Sequence, residues 1–202
     1  MALPDHITSL LAAGPHGRRL VDNAGRLQSL VRHLLTLGLI PGPANPADVD
    51  LACAALQLVQ LHPPSNRSPM TLRDRAASAA ELLISAAGDV ADDTPLLDRT
   101  CRLLQQLPQR TPSTPEARLL ADAVNLEDFG VTGLLNQMAS VAVAGDGVTQ
   151  LLDACATREQ YGYWDARLAR FHFPAVRELA VQRLANARHC CTLLRSELPA
   201  TP

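Results

Sequence analysis

Along nearly the whole chain apolar residues recur at intervals of three and four, and no useful stretch alternates with the two-residue period of a strand. This pattern predicts helices over 4–12, 16–37, 48–61, 70–87 and 95–107, with Asp48 capping the third. Gly14-Pro15, the proline- and glycine-rich stretch 38–46, His62-Pro63-Pro64 and Gly88 separate them. Later helices are predicted over 133–143, 148–156 and 162–171. A last one opens at Pro174, a good first-turn residue, and ends near Glu197. Val176, Leu179, Ala180, Leu184, Ala187, Cys191 and Leu194 form one apolar stripe along it.

The stretch 114–135 organises the rest. Thr114 can cap a helix and Pro115 suits its first turn. Leu119, Leu120, Ala123, Val124 and Leu126 then recur at helical spacing, so the segment should be largely buried. Gly130 and Gly133 allow a sharp corner and a close backbone approach before a second helix. The expectation is a single all-α domain over 1–202, with its core over about 14–197. Its two proline-rich links are short enough to be internal loops.

Composition narrows the chemistry. At 202 residues and a formal charge of -2, the chain lacks the broad basic field of a sequence-independent nucleic-acid binder. All 18 basic residues are Arg, which removes Schiff-base chemistry and the P-loop lysine. Aromatics make up only 3%, too few for a base-stacking platform. The five cysteines lack C-x-x-C pairing and are expected to be mostly buried free thiols in a reducing compartment. The N-terminus has no cationic region followed by an apolar core, and no run reaches the roughly 20 apolar residues of a membrane helix. A soluble cytoplasmic protein is expected, without nucleic acid or membrane as partner.

Four segments carry a family resemblance. Asp122-Ala123-Val124-Asn125-Leu126-Glu127-Asp128-Phe129-Gly130-Val131-Thr132-Gly133 resembles the closing motif of bacterial HD-domain phosphohydrolases, in which the position of Val124 holds a metal-binding Asp. His16-Gly17-Arg18-Arg19-Leu20 resembles their opening motif, and 52–59 resembles the helix whose His-Asp pair would stand at Leu56-Gln57. Trp164 to Phe171 resembles a late segment that precedes a long closing helix. The matches are collinear, and the fold they imply is a single-domain HD-like helical bundle. In the family, imidazoles and carboxylates hold a divalent ion that activates water. Carried over, the positions here are His16, Leu56, Gln57 and Val124, with a further family His falling near Leu107. One imidazole cannot retain a labile ion, so no metal and no cofactor is expected.

Two function classes follow from that resemblance. One is a metal-free binding module, with Arg19, Leu56, Leu107, Asp122, Val124 and Trp164 bounding a pocket for a small apolar or aromatic ligand. Its surface would alternatively hold a partner protein or a second copy. The other is a repurposed metal-free cyclase, isomerase or lyase of biosynthesis, with His16 as acid–base group and Gln57 and Asn125 as polar orienting residues. An active metal-dependent phosphohydrolase would need ligands placed elsewhere. Tyr161, Tyr163, Trp164, Phe171 and Phe173 are expected to form a satellite core, and adjacent Cys190 and Cys191 cannot both face the interior. The acidic stretch 88–93 is expected to be a solvated connection without calcium-loop spacing.

Overall fold

The computed structural model describes residues 17–39, 46–61, 71–87 and 94–198. Among these residues it holds nine α-helices and no strand. They are α1 (Gly17–Thr36), α2 (Pro46–Leu61), α3 (Leu72–Ala87), α4 (Thr94–Gln106), α5 (Pro115–Leu126), α6 (Gly130–Val143), α7 (Val148–Gln160), α8 (Tyr163–Leu168) and α9 (Pro174–Glu197). The predicted helix over 4–12 and the acidic stretch 88–93 lie outside the described residues. Contacts divide the chain into two units, 1–123 and 124–202, with the division inside α5.

In the first unit α2 is central and packs against α1, α3 and α4. Its residues Leu51 through Gln57 are all buried, because the sequence LACAALQ is apolar nearly all the way round. Each neighbouring helix also sends it a polar side chain, and α1 adds Arg32, 3.6 Å from Asp50. Gln28 Nε2 donates to the Asp50 carbonyl at 3.1 Å, and Arg75 Nε donates to the Leu56 carbonyl at 3.0 Å. Arg99 Nε and Nη2 grip the two Asp48 carboxylate oxygens at 2.9 and 3.2 Å. Here the sequence expectation needs correcting. Helix α2 begins at Pro46, so Asp48 lies inside its first turn, and its carboxylate serves Arg99 rather than a cap.

Two helix starts follow from capping chemistry. Thr71 Oγ1 accepts from the Asp74 amide while Asp74 Oδ2 accepts from the Thr71 amide, so α3 starts at Leu72 rather than at Met70. Thr114 Oγ1 accepts from the Ala117 amide at 3.3 Å, with Pro115 opening α5 as expected. The proline link before it is pinned by one side chain, since Gln106 Oε1 accepts from the amides of Ser113 and Thr114 and from both hydroxyls.

In the second unit α6 packs against α9, and α7 and α8 close the bundle. Helix α6 begins at Gly130, not Gly133, because Gly130 at φ +84° turns the chain and leaves Gly133 in the first helical turn. Helix α7 continues four residues past the expected end, to Gln160, and α8 stops at Leu168, short of Phe171. The α9 stripe is as predicted: Val176, Ala180, Leu184 and Cys191 are buried, and Leu179, Ala187 and Leu194 half-buried. Leu134, Leu151, Leu152 and Cys191 form one cluster of the core, with Met138, Val148 and Cys155 packed on it. Only Cys53 and Cys191 of the five thiols are buried; Cys101, Cys155 and Cys190 are half-buried, because they sit at the edges of helical apolar faces.

Candidate functional site

The residues singled out from sequence fall in both units. In the first, Leu56, Leu107 and Asp122 are enclosed, at 0, 2 and 0% exposure. Gln57 is also buried, and its Oε1 finds no hydrogen-bond partner among the described residues. An unpaired buried carbonyl is costly, so Gln57 stands out in the otherwise apolar buried stretch 51–57. His16 lies outside the described residues; Arg19 belongs to α1, but its side chain is not described.

In the second unit Val124 is buried, and Asn125 has a structural partner. Asn125 Nδ2 donates to the Arg167 carbonyl at 3.2 Å, and Arg167 Nη2 returns a bond to the Asn125 carbonyl at 3.3 Å. The same guanidinium pairs with Asp128. This clamp fixes the corner between α5 and α6 to α8. Phe129, fully buried at that corner, packs its ring 5.1 Å from Trp164 and 5.4 Å from Phe171. Tyr163 meets Trp164 edge-on at 5.0 Å, and Arg158 stands over both rings. The aromatic cluster is thus a satellite core, as expected, and Tyr161 alone projects into solvent.

Beside this cluster the second unit holds a groove of roughly 370 Å³, lined from α6, α7, α8 and α9. That is near the lower end of ligand pockets in general. Leu134, Cys155, Trp164, Leu184, Ala187 and Cys191 give it an apolar wall. Of the site residues proposed from sequence, it contains Trp164 alone. Its polar groups are mostly committed to one another. Arg188 makes a bidentate pair with Glu159 at 2.8 and 2.6 Å, which holds the guanidinium more firmly charged. Gln137 Oε1 accepts from Arg158 Nη1, and the Thr192 hydroxyl donates to the Arg188 carbonyl. Arg195 donates to the Leu152 carbonyl at 3.2 Å.

Burial pushes the Cys191 thiol up to about 11, and the neighbouring Cys155 thiol, hydrogen-bonded to it, adds to the shift. Cys191 is therefore a neutral, unreactive wall of the groove. The sequence did carry a signal for this face. Leu184, Arg188, Cys191 and Arg195 follow one another at i, i+4, i+7 and i+11, so two arginines border the apolar stripe of α9.

No protein-family model matches the chain, and no curated relative matches it in sequence. Among solved structures it is similar to YpgQ of Bacillus subtilis, whose crystal structure is a complex with ADP. The likeness has a TM-score of 0.56 at 15% identity and covers 97% of this chain and 95% of that one. The chain has an HD-like, all-helical fold. Among the described residues no three His, Cys, Asp or Glu side chains are grouped to hold a metal ion, and no helix is long and apolar enough to cross a membrane.

Proposed function

We propose that this chain uses an HD-like scaffold without its metal centre, as a module that binds a small apolar or aromatic molecule in the groove of its second unit. The single observation that carries this reading is the groove itself, an apolar wall with Trp164 on one side and paired charges at its rim. The donor set at the family's metal positions supports the same reading. Leu56 and Val124 are buried hydrocarbon, and an amide at Gln57 is a poor substitute for a carboxylate. The positions carried over from the family do not fit a divalent ion.

YpgQ was crystallised with ADP. For this chain ADP is the less suitable ligand, since a diphosphate needs several uncommitted cations and the groove's Arg188 is already neutralised by Glu159. A metal-free enzyme with His16 as acid–base group is favoured by one observation, the unpaired buried Oε1 of Gln57.

Native mass spectrometry of protein purified without chelator tests the reading. The expected result is no stoichiometric divalent ion and an organic adduct that is lost when Ala187→Phe fills the groove. One equivalent of metal, lost in His16→Ala, would return the phosphohydrolase.

A further inference from the structure

The chemistry of the groove specifies more than an apolar guest. Of its lining side chains, Glu159 and Arg188 pair with each other, Gln137 accepts from Arg158 and Asp128 pairs with Arg167. Arg195 is the exception. It lines the groove, it donates to a backbone carbonyl, and it has no carboxylate partner among the described residues. A guanidinium has five N–H donors in a planar fork matched to a carboxylate, and the bond to Leu152 uses one of them. Beside it stand the neutral Cys191 thiol and the hydrocarbon of Leu184 and Leu134.

We propose that the groove takes an aromatic monocarboxylate, its ring against Leu134, Leu184 and Trp164 and its carboxylate on Arg195. The inference rests on the reading of the groove as a binding site. A single carboxylate fits better than a phosphate monoester, because Arg195 offers one uncommitted guanidinium while Arg188, the other cation lining the groove, is paired with Glu159. An aromatic body fits because Trp164, which lines the groove, can take a tilted ring against its own and the volume is small.

Isothermal titration of the full chain with 2-naphthoate, its neutral amide 2-naphthamide, and 2-naphthyl phosphate tests this. Naphthoate should bind roughly ten- to a hundred-fold tighter than naphthamide, the worth of a hydrogen bond to a charged group. It should also bind tighter than the phosphate. Arg195→Gln should erase the preference for naphthoate over naphthamide, and Arg195→Lys should keep part of it. Arg195 is exposed, so both variants should melt like the parent protein. Equal affinity for acid and amide, a preference that survives Arg195→Gln, or tighter binding of the phosphate overturns the carboxylate inference and leaves the groove as a site. Binding of none of the three overturns the site, and with it the reading beneath the inference.

Discussion

Gly133 stands against the backbone of Asp128 so closely that a Cβ there would lie 2.1 Å from the Asp128 carbonyl oxygen. No side chain has room at that point, because the obstacle is backbone. Gly133→Ala should destabilise the protein by about 3 kcal/mol, the upper part of the range for overpacking. Gly145 makes the contrast: at φ +85° with open space around it, Gly145→Ala should cost only about 1–2 kcal/mol. Urea denaturation of both variants checks the order.

Gln57 is buried with an unpaired carbonyl oxygen. Replacing it by a side chain of similar size without that oxygen should help the fold. Gln57→Leu is expected to raise stability by about 1 kcal/mol. A loss of stability would mean that the amide has a partner worth keeping, and that would strengthen the enzyme alternative.

Phe129 holds Trp164 in place on the wall of the groove. Phe129→Ala should cost about 3–5 kcal/mol. The chain has one tryptophan, so its emission reports the site directly and should move to longer wavelength as Trp164 loses its neighbour. An unshifted spectrum would mean that the aromatic cluster does not depend on Phe129.

The Cys191 thiol titrates higher in the fold, near 11, than its ordinary value of 9.0. Folding therefore favours the protonated form. The stability it contributes is complete below about pH 9 and is lost as the pH rises from 9 to 11. Over that interval the parent protein should lose stability more steeply than Cys191→Ala. Parallel slopes in chemical denaturation across this range would contradict the assignment.

The helices of this chain were legible in its sequence because each is punctuated by proline or glycine and carries its own apolar period. Thr114-Pro115, Pro174 and the α9 stripe all fall as read. Boundaries set by tertiary partners were not legible. Asp48 reads as a cap until Arg99, 51 residues away, claims its carboxylate. Gly133 reads as a corner residue, yet Gly130 makes the turn and Gly133 the close approach. The groove was hidden for the same reason. Cys155 and Glu159 on α7 meet Arg188, Cys191 and Arg195 on α9 only once the bundle forms, and no local motif links them. The eye falls instead on adjacent Cys190 and Cys191, while the thiol beside Cys191 is Cys155.

Energy transfer from the lone Trp164 to 8-anilinonaphthalene-1-sulfonate is the most direct test of the groove as a binding site. The expected result is saturable binding of one equivalent with strong quenching of Trp164, abolished by Ala187→Phe in a protein that still melts cooperatively. Absence of saturable transfer, or transfer unchanged in Ala187→Phe, would contradict it.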